Sequence, residues 1–126
     1  MAIDGQAFFD QKARQFRMQA SHVVFKPDYL KAVNATLQAI GIATNAASDI
    51  TAVTGTEVSI GLDDDLEWAL QFGVDYWLVR LGHKSGDLNI ASAFAAWDGA
   101  QASLRVHRDQ AATAAATDGE VIADTD

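Results

Sequence analysis

The stretch that decides the fold of this protein is D-D-D-L-E-W-A-L-Q-F-G-V-D-Y-W-L-V-R-L-G, residues 63–82. Its apolar residues recur every three or four positions, which predicts a helix that begins at the three aspartates and ends at Gly82. The predicted apolar stripe comprises Leu66, Leu70, Gly73 or Val74, Trp77 and Leu81, widened by Ala69, Phe72 and Leu78. A helix with so much apolar surface must lie at the centre of the fold or contact other subunits.

Two helices are predicted before this stretch. The first runs from about Asp4, which can cap it, to Ala20, and residues 21–25 follow as a short extended connector. Its predicted stripe is Phe9, Ala13, Phe16 and Ala20. The second helix begins at Pro27 and Asp28, which suit a first turn, and ends at Gly41, a residue type that often terminates helices. Its predicted stripe is Leu30, Val33, Leu37 and Ile40.

The chain between the second and third helices has a different character. Residues 42–49 are small and polar, and β-branched residues then alternate on both sides of Thr54-Gly55. This pattern predicts a short β-hairpin or an extended loop with strand propensity. Because two strands alone are marginally stable in water, a neighbouring chain is one source of further pairing.

A fourth helix follows the connector at residues 83–86. We expect Asp87 to cap its start and the cations His107 and Arg108 to lie in its last turn. Its predicted stripe is Ile90, Phe94, Trp97, Gln101 and Leu104, supported by Ala91 and Ala95. Residues 109–126 are rich in Ala, Thr and Asp, so they are expected to be a disordered tail or an arm that orders against a partner. Within this arm, Val121 and Ile122 are the natural anchor.

These elements predict a mainly α fold. It is a small four-helix bundle with a short β-hairpin or extended loop and a flexible C-terminal arm. Residues 1–108 form the helical domain, and residues 109–126 form the acidic, Ala/Thr-rich arm.

The composition narrows the class of protein. The chain has 126 residues, so it can bury a core, and it has no cysteine, which excludes disulfides, iron–sulfur clusters, Cys-ligated zinc and thiol catalysis. The net charge of −8 is opposite to that of a typical phosphate-binding protein. No apolar run approaches the ~20 residues of a membrane span, and the start lacks the basic region of a secretory signal. We therefore expect a protein that does not interact with membranes.

The charge is unevenly distributed along the chain. Residues 1–48 hold 5 basic and 3 acidic side chains, residues 49–108 hold 4 and 9, and residues 109–126 hold 5 acidic ones and no basic one. A basic front and an acidic remainder suit head-to-tail association of subunits. A chance distribution of acidic and basic residues along a small protein explains the same counts.

Two sets of titratable residues are candidates for chemistry. The acidic run Asp63-Asp64-Asp65 with Glu67 offers ligands for Ca²⁺ or Mg²⁺, but its spacing matches no calcium loop, and carboxylates at a helix start also serve as caps. The three histidines lie in three different elements, and none is spaced four residues from another. They are His22, His83 and His107. We expect solvated or capping roles for them and assign no metal site.

Two further sets are candidates for binding. Bases or sugars can stack on aromatic rings, yet at helical spacing a core or a subunit interface is the stronger expectation. The rings are Trp68, Phe72, Tyr76, Trp77, Phe94 and Trp97. The basic residues Lys12, Arg14, Arg17, Lys26 and Lys31 form a weak candidate phosphate patch, which solvated faces or ion pairs between subunits explain as well.

No known catalytic motif is present. The sequence has no P-loop, G-x-G-x-x-G turn, nucleophile elbow or H-E-x-x-H helix. We therefore expect no enzyme and no cofactor, and we assign no catalytic or cofactor-binding residue. A small helical enzyme that uses the aspartates at 63–65 or a histidine is the last of the hypotheses.

The order of elements, with the segments Y-L-x-A-V-N-x-x-L (29–37) and G-V-x-Y-W-L-x-R-x-G (73–82), resembles the head-to-tail adaptor, or connector, proteins of tailed bacteriophages. The likeness covers roughly residues 4–108. It implies a structural virion protein of the phage neck, in which about a dozen copies form a ring beneath the portal that extends the DNA channel. It also implies portal and tail or stopper proteins as partners, and DNA that passes without specific binding. The alternative is a small helical regulatory or protein-binding module that acts as a dimer.

Overall fold

The computed structural model of the chain describes residues 2–17, 24–45, 50–86 and 88–119. In these ranges the order of elements is β1 (Ala2–Ile3), α1 (Gly5–Gln15), α2 (Phe25–Thr44), β2 (Ile60–Asp63), α3 (Glu67–Arg80) and α4 (Ile90–Gly119). A single 3₁₀ turn, Asp64–Leu66, joins β2 to α3. The predicted mainly α fold with four helices is confirmed.

Helix α3 lies at the centre of the fold. It packs against both α2 and α4, which also contact one another. Leu70, Val74 and Leu78 of α3 are completely buried, whereas Leu66 and Trp77 of the predicted stripe are half-buried and Leu81 is 41% exposed. The prediction of a central helix is therefore confirmed for one face of α3, and its opposite face stays accessible.

Helix α1 is held against α2 by aromatic rings. The Asp4 side chain accepts a hydrogen bond from the Ala7 N–H at 3.1 Å, which confirms it as the N-cap. Phe9 and Phe16 of the predicted stripe are buried, and the Phe9 ring meets the Tyr29 ring edge-on with centroids 4.8 Å apart. The helix ends at Gln15, earlier than predicted, while the predicted end at residue 20 lies outside the described residues.

Helix α2 is longer than predicted at both ends. It begins at Phe25, which we expected in an extended connector, and it ends at Thr44 with Asn45 in the left-handed conformation (φ 59°). The predicted end at Gly41 is wrong, since Gly41 is a buried position inside the helix. Burial in the core lets the helix continue through a glycine that is otherwise unfavourable in a helix. Three residues of its predicted stripe are buried and Leu30 is half-buried.

The predicted β-hairpin around Thr54-Gly55 does not form. Instead β2 pairs antiparallel with β1 at the start of the chain, with Ala2 opposite Asp63 and Ile3 opposite Ile60. Residues 50–59 contain no strand, so the extended-loop alternative describes them. Asn34 of α2 holds this loop: its Nδ2 donates to the Val53 carbonyl at 2.9 Å, and its Oδ1 accepts from the Val53 N–H at 2.8 Å.

The end of α3 agrees with the prediction. Gly82 has φ 103°, its N–H donates to the Val79 carbonyl, and the His83 N–H donates to the Leu78 carbonyl, both at 3.0 Å. This is the Schellman arrangement, which favours glycine at the left-handed position. It turns the chain so that His83 becomes buried.

Helix α4 differs from the prediction in its face and its end. Asn89 and Ser92 cap its start reciprocally, with the Ser92 N–H donating to Asn89 Oδ1 at 2.8 Å, and the predicted cap at residue 87 lies outside the described residues. The buried positions are Ala93, Trp97, Ala100 and Leu104.

The predicted stripe of α4 is therefore wrong at Ile90 and Phe94, which are 54% and 50% exposed. Alanines permit a close approach of the neighbouring helix, which larger side chains would prevent. The helix also continues past its predicted end at residues 107–108 to Gly119. The division into a domain of residues 1–108 and an arm of residues 109–126 stays a prediction.

Candidate assembly surface

The accessible face of α3 carries a row of aromatic side chains. Trp68, Phe72 and Tyr76 follow one another at intervals of four residues, which places them in line along the helix. Trp68 is 39% exposed, Phe72 is 42% exposed and Tyr76 is half-buried. Phe94 of α4 extends the row sideways, since its ring lies 5.6 Å from the Tyr76 ring. We call these four residues the aromatic stripe.

An arginine continues the aromatic stripe at the C-terminal end of α3. The Arg80 guanidinium lies 5.0 Å from the centre of the Trp77 ring, and its Nη1 donates to the Tyr76 hydroxyl at 3.3 Å. Trp77 Nε1 is buried and has no hydrogen-bond partner among the described residues. This end of the stripe therefore combines two aromatic rings with an exposed cation held against them.

Lys12 is a buried cation, so it does not belong to a phosphate patch. Its Nζ lies 2.7 Å from Asp75 Oδ1 of α3 and donates to Gln15 Oε1 at 3.1 Å. Burial lowers the pKa of the Lys12 ammonium from its ordinary value, and the charge and hydrogen bond of Asp75 partly oppose this shift. The pair fastens α1 to α3. The other predicted cations, Arg14, Arg17, Lys26 and Lys31, are exposed.

His83 links the C-terminal end of α3 to α1 and α2. Its Nε2 lies 2.8 Å from Asp28 Oδ2 in the first turn of α2. The imidazole stands edge-on to Phe25 and Phe16, with ring centroids 5.3 and 6.4 Å away. This buried cluster contains one His–carboxylate hydrogen bond and apolar rings, which gives it a structural role. The expectation of a solvated or capping histidine is wrong for His83.

Tyr29 lies in the same aromatic region between α1 and α2. Burial raises the pKa of its hydroxyl well above the ordinary value, and the nearby negative charge of Asp10 adds to the increase. The ring is 1% exposed, so Tyr29 stays a neutral core residue.

The three aspartates at 63–65 are all exposed. One carboxylate oxygen from each lies within 4.8 Å of the others. The residues form the end of β2 and the 3₁₀ turn before α3, where negative charge stabilises a helix start. Of the histidines, His107 is exposed on α4, and residue 22 lies outside the described residues. The structure therefore brings the three aspartates together in a group that could hold a cation, although exposed acidic groups are common without one. His83 is bonded to Asp28 and lies outside this group.

A cavity between described residues lies beside α2. It has a volume of about 280 Å³ and is lined by Asn34, Leu37, Gln38, Gly41, Ile50 and Ala52. None of these described lining residues carries a charge.

Asn34 and Asp75 make polar contacts that connect different parts of the fold, and the sequence patterns identified neither residue. Asp75 had a usable signal, because it is a lone carboxylate in the apolar part of a central helix, and such a group needs a cationic partner. Asn34 had no such signal, because it is bonded to the backbone of Val53. Since every residue has the same backbone groups, the sequence does not show which of them a side chain binds.

No family model, no curated protein and no solved structure matches this chain. None of the described helices has both the length and the apolar character needed to cross a membrane.

Proposed function

We propose that this chain is a structural virion protein of a phage neck, in which its copies form a ring between the portal and the tail that extends the DNA channel. The observation that carries the proposal is the aromatic stripe, where Trp68, Phe72 and Phe94 are 39–50% exposed in one group on α3 and α4. Exposed aromatic rings of this kind are enriched at protein interfaces. The chain therefore has a surface suited to assembly.

The residues behind the resemblance support the proposal through their packing. Gly73 opens the second quoted segment, and Thr36 and Trp97 lie so close to it that a Cβ atom would not fit. Asn34 of the first segment holds the loop at residues 50–59. The likeness thus involves positions that determine the shape of the subunit.

The charge of the chain is consistent with a DNA channel. A net charge of −8 repels phosphates, so DNA would pass without sticking to the protein. A ring of about a dozen copies requires heterologous contacts whose rotation closes. In this proposal the chain binds portal and tail or stopper proteins, is located in the virion and catalyses no reaction.

The test is localisation in particles. Gold-labelled antibodies against this chain should mark the junction of head and tail in virions from the source of the sequence. Native mass spectrometry of released necks should give a closed ring of about a dozen copies, as the resemblance implies. Particles that lack this chain, or that carry the label at another place, would overturn the proposal.

A second candidate is a small helical protein-binding module that acts as a dimer. The order of charges along the aromatic stripe favours it, because acidic residues precede the stripe and Arg80 follows it. A stable dimer in an organism without a related virion would support this candidate over the neck protein.

A further inference from the structure

The aromatic stripe has opposite charges at its two ends. Asp65 precedes Trp68 by three positions and is exposed in the 3₁₀ turn that leads into α3. Arg80 follows Tyr76 by four positions and is held beside its hydroxyl. Residues four apart lie on one side of an α-helix, so the rings and Arg80 form one line along α3, and the 3₁₀ turn places Asp65 just before the start of this line.

The positions along this line are nearly symmetric about Phe72. Asp65 and Arg80 are seven and eight residues from it, and Trp68 and Tyr76 are each four residues from it. At a rise of 1.5 Å per residue, the part of the line that lies in α3, from Trp68 to Arg80, is about 18 Å long. Turning a second copy by 180° about an axis through Phe72 brings each acidic end onto a basic end.

We propose that two free copies of this chain pair through their α3 helices, antiparallel, along the aromatic stripe. Phe72 then lies against the partner subunit's Phe72 on the two-fold axis. Each Trp68 faces the partner subunit's Tyr76, and each Asp65 faces the partner subunit's Arg80. A parallel arrangement would place like charges together at both ends, which costs free energy.

A second copy fits this surface because a two-fold contact is self-complementary. Aromatic side chains have areas of about 150–250 Å² each, so the exposed fractions of Trp68, Phe72 and Phe94 supply roughly a third of the ~800 Å² that a standard interface buries per partner. The dimer is therefore reversible and depends on concentration. Because its end pairs are exposed to solvent, added salt weakens it.

This pairing does not depend on the neck proposal. A ring needs heterologous contacts, whereas the two-fold dimer is the form of the free chain, which covers the aromatic stripe before assembly. The dimer is tested on the purified full chain, and the neck function is tested on virions. Each proposal can therefore be overturned while the other one holds.

The first experiment uses the absence of native cysteine. Phe72→Cys places one thiol on the proposed two-fold axis, and mild oxidation should give a disulfide-linked dimer. Ile42→Cys is the matched control, since Ile42 is 65% exposed on α2, away from the stripe. We expect crosslinking of Phe72→Cys to be at least about tenfold faster than that of the control, because the two thiols are held together. Equal rates would overturn the proposal.

The second experiment exchanges the end charges, with sedimentation velocity as the measurement. Arg80→Glu and Asp65→Arg should each weaken the dimer by about tenfold, and the double variant should recover most of the wild-type affinity. Arg14→Glu, at an exposed position on α1, is the charge-matched control and should leave the dimer unchanged. Circular dichroism verifies that each variant is folded. A monomer at all concentrations, a dimer insensitive to these changes, or binding to other proteins only would overturn the antiparallel pairing.

Discussion

Gly73→Ala tests the contact between the three central helices. A Cβ atom at this position would overlap Thr36 Cγ2 and would lie 2.8 Å from Thr36 Oγ1 and 3.0 Å from Trp97 Cζ3. Thr36 cannot move aside, because it is completely buried and its hydroxyl donates to the Ala32 carbonyl at 2.7 Å. The added methyl group must therefore separate α2 from α3.

The expected loss of stability is the difference between two effects. Overpacking a core costs about 1–3 kcal/mol, and this overlap is severe, so we take the upper end of that range. Replacing glycine by alanine inside a helix stabilises the folded state by about 1 kcal/mol, because alanine has the higher helix propensity. The net destabilisation is thus about 2 kcal/mol, which lowers the Tm by roughly 6–10 °C for a chain of this size.

Gly99→Ala is the matched control for backbone propensity. Gly99 is also inside a helix, but it is exposed and an added Cβ would meet nothing within 4 Å. This variant should be more stable than the wild type by about 0.5–1 kcal/mol. Urea unfolding followed by tryptophan fluorescence measures both variants.

A compensating change makes the test specific to the Thr36 contact. Thr36→Ala removes the two closest atoms that the new methyl group would meet and leaves the contact with Trp97 Cζ3, so Gly73→Ala should cost less in that background than in the wild type. If Gly73→Ala is as stable as Gly99→Ala, or if Thr36→Ala gives no relief, the described approach of α2 and α3 is wrong.

Two further changes test polar contacts. Asn34→Ala leaves the buried N–H and carbonyl of Val53 without their side-chain partner and should cost about 2–3 kcal/mol in urea unfolding; Gln38→Ala, an exposed change one turn later, should cost almost nothing. Lys12→Met leaves Asp75, 20% exposed, without its ammonium partner and should cost about 2 kcal/mol at pH 7. Folding lowers the pKa of Lys12 below its ordinary value of 10.5, so between the two pKa values the unfolded chain binds more protons than the folded chain. Stability rises with pH wherever the unfolded state binds more protons. The wild type should therefore gain stability relative to Lys12→Met as the pH rises through this window. Unfolding at pH 7–11 measures this difference, and a gap that is constant with pH would contradict the buried position of the ammonium.

The helix ends show what local sequence can predict. Asp4 as an N-cap and Gly82 as the left-handed residue after α3 were both predicted, because each position is decided by hydrogen bonds within a few residues. Gly41 was misinterpreted by the same reasoning. Its helix continues to Thr44 because burial against the core outweighs the cost of one glycine.

The candidate surface was predicted only in part. The excess of apolar area on α3 was visible in the sequence, but which rings stay exposed was not, since Trp97 is 4% exposed and Phe94 is 50% exposed on the same helix. A periodicity pattern counts every large aromatic residue as apolar, so it does not distinguish the buried Trp97 from the exposed Phe94. The helix turns its alanines towards α3 and α2, because small side chains allow close packing.

The amino-acid sequence by itself determined the four helices, their apolar character and the acidic charge of this protein, since periodicity and capping act over a few residues. Only the tertiary structure decided that β2 pairs with β1, that Lys12 is buried against Asp75, and that one row of aromatic rings remains on the surface. The first two features join residues about 60 positions apart. Their free energy depends on which helix faces meet, and no local pattern contains that information.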